Sequence, residues 1–135
     1  MLKRANPAAK RCVVILILAI FFLSGVALAY QTDEELKKKY ASVLGAYEFD
    51  ATVYGMGVFS VEVYVEYGSL WTFPDISDSA AEMTAVEGEE FSFLIEDPNE
   101  GNYKIEFLKD DQGKYTRCHV VNEFAGMDLI GTKIK

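Results

Sequence analysis

The chain has 135 residues, with 13 Lys or Arg against 21 Asp or Glu, and a formal charge of −8 at pH 7. This length suits one domain with a single hydrophobic core. An excess of acidic residues repels phosphate backbones and anionic lipid headgroups, which excludes nucleic acid as a partner.

The first 29 residues have the pattern of a secretory signal peptide. Four cations and no acid occupy the first eleven residues, an apolar run covers residues 12–23, and Ala27-Leu28-Ala29 supplies small residues at a cleavage site. We therefore predict export to the periplasm or the extracellular space. Cleavage after Ala29 leaves residues 30–135, in which nine cations face all 21 acids, a formal charge of −12. The alternative is an uncleaved membrane anchor, because the apolar run extended to Ala29 approaches a spanning length.

A short helix is predicted at the start of the mature chain. Thr32 and Glu35 have the spacing of a capping box, and Gly45 stands where a left-handed cap would end the helix. Leu36 and Tyr40 begin a narrow apolar stripe. Such a stripe favours a helix that packs against the mouth of a sheet over one at the centre of a bundle.

From residue 46 onward, apolar and polar residues alternate with the two-residue period of half-buried strands. The clearest example is residues 58–71, where Phe59, Val61, Val63 and Val65 share one face. Tight turns separate the segments, and no loop is long enough for a parallel crossover. We therefore predict a mainly β fold, a small antiparallel up-and-down, lipocalin-like barrel preceded by one short helix. Its eight candidate strands cover residues 46–54, 58–66, 70–73, 81–86, 91–96, 102–109, 114–121 and 127–134.

The alternation also predicts which side chains point into the barrel. An eight-stranded barrel is just wide enough to fill itself with side chains or to hold one small ligand, and the sequence leaves both outcomes open. The predicted inward set is Tyr47, Phe49, Val53, Phe59, Val61, Val63, Val65, Leu70, Met83, Phe91, Phe93, Ile95, Tyr103, Ile105, Phe107 and Leu129.

Four segments carry a resemblance to a known family: "YASVLGAYEF", "VEVYVEYGSLW", "AEMTAVEGEEF" and "YKIEFLKDDQGKYTRC". Between residue 40 and about residue 118 the chain resembles the lipocalin-like C-terminal domain of penicillin-binding-protein-like, β-lactamase-related serine peptidases. The resemblance implies a small barrel that acts beside a catalytic domain and influences access to its active site. Because no catalytic domain accompanies it here, no nucleophile is carried over. The expectation is a stand-alone exported module, with an envelope protein such as a penicillin-binding-like peptidase as its partner.

The residues themselves do not assemble a reaction centre. Cys118 and His119 are neighbours on a predicted strand, so their side chains should point to opposite faces. No serine lies in a Gly-x-Ser-x-Gly elbow, and the acids around Asp75 and Asp97 lack the spacing of a calcium loop. We predict no catalytic residue, no metal and no cofactor. Cys118 is predicted to be buried, with an intermolecular disulfide as the alternative.

Aromatic residues near one predicted hairpin are the candidate contacts for a ligand or a protein partner: Tyr54, Tyr64, Tyr67, Trp71 and Phe73. Half-buried packing is the competing explanation for them. The sequence thus predicts an exported, non-catalytic binding or accessory module for a small apolar ligand or an envelope protein. A structural envelope protein and a single-domain enzyme of a hydrolase family are the alternatives.

Overall fold

A computed structural model describes residues 31–135 of the chain. The predicted signal peptide, its cleavage site and the alternative of an anchor lie outside these residues. One α-helix, one 3-10 helix (Thr52–Tyr54) and eight strands follow in chain order. They are α1 (Asp33–Lys39), β1 (Gly45–Ala51), β2 (Gly57–Glu66), β3 (Ser69–Pro74), β4 (Ala81–Ala85), β5 (Ser92–Ile95), β6 (Tyr103–Lys109), β7 (Tyr115–Asn122) and β8 (Met127–Lys133).

The eight strands form a closed barrel. Each strand pairs antiparallel with the next along the chain, and β8 returns to pair with β1 through Tyr47 opposite Lys133 and Glu48 opposite Thr132. Closure leaves no sheet edge on which another strand would add. The structure confirms the predicted mainly β fold, an antiparallel eight-stranded barrel with one short helix.

The two-residue period sets the inside and the outside of the wall. In β2, for example, Val63 and Val65 are buried while Glu62 and Glu66 are exposed. The predicted inward residues all pack in the core or line the interior, with one exception. Val53 was expected inside, but its side chain is 92% exposed.

The error at Val53 has a local cause. The Asp50 carboxylate accepts a hydrogen bond from the backbone N–H of Thr52 at 3.1 Å. This side-chain turn competes with the strand ladder, so β1 ends at Ala51 and the chain turns into the 3-10 helix. The side chain of Val53 therefore points to solvent instead of into the barrel.

Helix α1 closes one end of the barrel. Thr32 caps it, since its hydroxyl oxygen accepts the Glu35 N–H at 3.2 Å. The helix was expected to continue to Gly45 but ends at Lys39, because residues 40–44 form a turn that buries Tyr40 and Val43. Together with Leu36, these two side chains plug what we call the closed end.

A hairpin turn holds the plug in place. The Asp33 carboxylate accepts a hydrogen bond from the Gly68 N–H, in the β2–β3 turn, at 2.6 Å. No helix among residues 31–135 has the length and apolarity required to cross a bilayer.

In an up-and-down barrel, alternate connections lie at the same end. The connections after β2, β4 and β6 therefore share the closed end with α1. The connections after β1, β3, β5 and β7 (residues 52–56, 75–80, 96–102 and 123–126) surround the opposite end, which we call the open end.

Candidate functional site

The barrel contains a cavity of about 460 Å³ that reaches the open end. This volume lies within the range of about 300–1,000 Å³ that is usual for small-molecule sites. The sequence left open whether the interior is filled or hollow. The structure shows that it is filled near the closed end and hollow near the open end.

Aromatic packing fills the closed half. The Tyr40 ring meets the Phe93 ring edge to face at 5.5 Å between centroids, and Phe93 meets Phe107 at 5.8 Å. Tyr47 lies 5.4 Å from Phe107 and completes the layer. Tyr47 and Phe107 also line the cavity, so this aromatic layer forms its floor.

The floor offers no free polar group. The Tyr47 hydroxyl donates a hydrogen bond to the backbone carbonyl of Val43 at 2.7 Å, back towards the plug. Burial, with a smaller contribution from Cys118, raises the pKa of Tyr47 far above its usual value. The phenol is therefore neutral and already satisfied, and a ligand would meet the apolar part of its ring.

The walls are almost entirely apolar. All eight strands and the β1–β2 connection contribute side chains, and the wall residues are Phe49, Met56, Phe59, Val61, Val63, Thr72, Ala81, Ile95, Ile105, Cys118, Val120, Met127 and Leu129. A water molecule inside a protein needs two to four polar partners. These walls offer few, so water is held poorly and an apolar group would be preferred.

Gly131 lets the barrel close around the Phe49 ring. A Cβ at Gly131 would stand 2.6 Å from the Phe49 ring, so only glycine leaves room for it. The same ring stacks on Phe59 with 5.6 Å between centroids. Phe49 and Phe59 thus form a flat aromatic wall beside the seam between β1 and β8.

Cys118 lies in the wall as a buried thiol. Its side chain is 4% exposed, and burial raises its pKa to about 12. At neutral pH it is protonated, and a thiol is a far weaker nucleophile or metal ligand than a thiolate. Because it points into the barrel, it is also not placed to form the intermolecular disulfide that the sequence left open.

The mouth of the cavity consists of two loops at the open end. Ile76, Ser77 and Ser79 line it from the β3–β4 connection, and Asp97 and Glu100 line it from the β5–β6 connection. The mouth therefore differs in chemistry from the walls: it carries hydroxyl groups and two carboxylates.

Hydrogen bonds order the acidic side of the mouth. Asp97 Oδ1 accepts from the backbone N–H groups of Asn99 at 2.8 Å and Glu100 at 3.1 Å. The Tyr103 hydroxyl donates to Glu100 Oε2 at 3.1 Å, and partial burial together with this bond raises the pKa of Tyr103. Asn122, fully buried, donates to the Glu100 carbonyl at 3.0 Å. The loop is held in place over the cavity.

Three of the predicted contact residues lie together, but on the outside of the barrel. Tyr64 and Trp71 are directly opposite each other on β2 and β3, and Phe73 lies opposite Glu62 on the same face. The Trp71 indole N–H donates to the Glu66 carbonyl at 2.8 Å. None of the three lines the cavity.

The other two predicted contact residues are separate from this cluster. Tyr67 lies in the β2–β3 turn near the closed end, with a φ of 50°. Tyr54 lies in the 3-10 helix, where its hydroxyl accepts the Asp128 N–H at 3.0 Å. Neither lines the cavity, so the five aromatic residues remain candidates only for contact with a partner at the outer surface of the barrel.

The Cys118–His119 pair is split by the wall. Cys118 faces the cavity, whereas His119 lies outside with its Nε2 2.7 Å from Asp128 Oδ1. Within residues 31–135, no group of three or more His, Cys, Asp or Glu side chains is arranged to hold a metal ion.

No protein-family model, curated protein or solved structure matches this chain. The sequence predicted much of the cavity wall but not Met56, Thr72, Ala81, Val120 and Met127. For Thr72 and Val120 a signal existed, because each continues the alternation of an inward neighbour, Leu70 and Cys118. The same signal existed for Ala81 and Met127, which precede the inward residues Met83 and Leu129 by two positions, whereas Met56 lies in the β1–β2 connection, outside any strand.

Proposed function

We propose that this protein is an exported binding module that holds a small apolar molecule inside its barrel. The observation that carries the proposal is the cavity of about 460 Å³, with apolar walls, a packed floor and an open mouth. Transfer from water is worth about 0.8 kcal/mol for each buried methylene group. A chain of about ten methylene groups would gain about 8 kcal/mol before the entropy of association is subtracted.

The plug at the closed end favours a container, and not a channel, as the role of the barrel. Leu36, Tyr40 and Val43 are buried across the closed end, and the aromatic layer beneath them is continuous. A molecule that enters at the mouth therefore has to leave by the mouth. This arrangement suits binding, carriage or storage of one ligand.

A pair of adjacent substitutions tests the proposal. Leu129 lines the cavity and is 9% exposed, whereas its neighbour Ile130 points outward and is 53% exposed. Leu129→Trp should fill the cavity, and Ile130→Trp should leave it unchanged. Both variants add the same bulk to the same strand, so general effects of the indole cancel.

The assay is fluorescence titration of the full chain with N-phenyl-1-naphthylamine, an uncharged apolar probe. We expect saturable binding by the wild type and by Ile130→Trp, and a loss of at least about tenfold in affinity for Leu129→Trp, comparable to losing a few methylene contacts. Circular dichroism and thermal melts check that both variants keep the barrel. Equal affinity in a folded Leu129→Trp variant would contradict binding in the cavity.

A protein partner on the outer surface is the second candidate function. The aromatic pair Tyr64 and Trp71, with the partly exposed Phe73, is the observation that favours it, because aromatic residues are enriched at protein interfaces. The family resemblance suggests a penicillin-binding-like peptidase as that partner. Phe73→Ser should weaken association with such a purified peptidase, measured by biolayer interferometry, and Leu129→Trp should not. No association with the wild type would remove this candidate.

A further inference from the structure

We propose that the ligand is a cationic amphiphile, with its apolar chain in the cavity and its positively charged head group at the mouth, beside Asp97 and Glu100. This inference rests on the proposed function and deepens it, because it names the chemical class of the ligand. It follows from the contrast between the apolar walls and the charge at the only end by which the described cavity opens.

The two carboxylates belong to the cavity itself. Asp97 and Glu100 both line it, and each has one oxygen engaged by the hydrogen bonds that order the loop. Among residues 31–135, no group donates a hydrogen bond to the second carboxylate oxygen of Asp97 or of Glu100. A head group at the mouth would therefore meet two carboxylate oxygens that accept hydrogen bonds without disturbing the loop.

The wider open end has the same sign of charge. Its four connections, residues 52–56, 75–80, 96–102 and 123–126, contain no Lys or Arg. They contain six acids, namely Asp75, Asp78, Glu96, Asp97, Glu100 and Glu123. The nearest cation along the chain, Lys104, is bound to Glu106 at 3.3 Å and to Glu89 at 3.6 Å on the outer face.

The cations of the described chain concentrate at the other end. Lys37, Lys38 and Lys39 lie on α1, and Lys114 and Lys135 flank the strand ends at the closed end. A mouth lined by one sign of charge, with low-dielectric walls beside it, concentrates ions of the opposite sign. An anionic head group would be repelled there, and an uncharged one would gain nothing from the carboxylates.

Three ligands that share a twelve-carbon alkyl chain and differ in their head groups separate these cases: dodecylammonium, dodecanol and dodecanoate. Each is titrated below its micelle concentration against N-phenyl-1-naphthylamine bound to the full chain. We expect dodecylammonium to displace the probe at least about tenfold more effectively than dodecanoate, with dodecanol between them. The difference should shrink in about 1 M salt, where the screening length falls to about 3 Å.

Isosteric variants locate the effect. Asp97→Asn and Glu100→Gln keep an oxygen for the hydrogen bonds of the loop and remove one charge each. Each should reduce the preference for dodecylammonium over dodecanol by about fivefold, the ratio expected for one charge pair about 4 Å apart in water. Glu66→Gln and Asp111→Asn remove the same charge at the closed end and should leave the preference within twofold of the wild type, because screening weakens distant charges.

The outcomes distinguish the two levels of the proposal. If the full chain binds neither the probe nor, by isothermal titration calorimetry, any of the three amphiphiles, the proposed function itself fails. If the three amphiphiles bind equally, or dodecanoate binds most tightly, the cavity binds ligands but the inference about the head group is overturned. It is overturned as well if the closed-end variants lose the preference as much as the mouth variants do. A loss of at least about tenfold in affinity in Leu129→Trp, together with a preference for dodecylammonium that depends on Asp97 and Glu100, supports both levels.

Discussion

Replacing Gly131 by Ala should destabilise the barrel through a clash between strands from opposite ends of the chain. Gly131 lies in β8, and a Cβ there would stand 2.6 to 2.7 Å from three atoms of the Phe49 ring in β1. The ring is 3% exposed and stacks on Phe59, so it has room to move only towards the cavity. Adding a methyl group to a packed core costs about 1–3 kcal/mol, and we expect about 1–2 kcal/mol here because the cavity permits some relaxation.

A second substitution shows whether that cost comes from the Phe49 ring. Phe49→Leu removes the far end of the ring and should cost roughly 1–2 kcal/mol by itself. In the double variant the new methyl group meets no ring, so the combined cost should fall below the sum of the two by at least about 1 kcal/mol. Thr132→Ala, on the outward face of the same strand, should show no such coupling with Phe49→Leu.

Urea unfolding, followed by far-ultraviolet circular dichroism and by Trp71 fluorescence, measures the four free energies of the cycle. Coincident transitions from the two signals check that unfolding is two-state. If the costs of Gly131→Ala and Phe49→Leu add to within about 0.5 kcal/mol, the two residues do not touch. In that case β1 and β8 do not close the barrel as described, and the cavity loses one of its walls.

Three further predictions concern the β2–β3 turn, the orientation of β2 and the buried thiol. Tyr67→Asn should raise the free energy of unfolding, measured in urea, by about 0.5–1 kcal/mol, because Tyr67 has a φ of 50° and Asn-Gly is favoured in two-residue hairpin turns. A lower unfolding midpoint would show that the tyrosine ring makes a compensating contact. Val65→Asp should prevent folding, since it buries an unpaired carboxylate. Glu66→Lys, on the other face of β2, should change the free energy of unfolding by no more than about 0.5 kcal/mol. Similar thermal melts of the two variants would argue against this orientation of β2. Burial raises the pKa of Cys118 to about 12, so at alkaline pH the folded state keeps a proton that the unfolded chain loses. The free energy of unfolding should therefore fall as the pH rises from about 9 towards 12, by up to about 1.4 kcal/mol per pH unit. Cys118→Ala should flatten this fall between about pH 9 and 10, below the range where Tyr47 contributes, and an unchanged slope would assign it to another group.

The sequence by itself determined the strands and their orientation. The alternation of Val63 and Val65 with Glu62 and Glu66 depends only on the two-residue period of a strand, which is a local property. Where a side chain competed with that pattern, the prediction was wrong: the Asp50 carboxylate ends β1 early and turns Val53 outward.

Packing across the barrel decided the length of the helix. The repeat of Leu36 and Tyr40 is compatible with a helix up to Gly45, and nothing in those residues alone marks the end at Lys39. The chain leaves the helix because Tyr40 packs edge to face on Phe93, in β5, and on Phe91, just before β5, both more than fifty residues away. Such contacts exist only once the barrel has formed.

The cavity and its mouth depended on the tertiary structure more than the strands and the helix did. Residues such as Val61 and Leu129 were expected to point inward, but the sequence did not show whether they would meet or leave a space. Asp97 and Glu100 read as ordinary turn residues until the β5–β6 loop is placed over the cavity. Alternation is set by neighbours along one strand, whereas an enclosed volume depends on which side chains face each other across strands far apart in sequence. The sequence therefore determined which residues form the inner wall, and only closure between β1 and β8 determined that this wall surrounds a cavity with an acidic mouth.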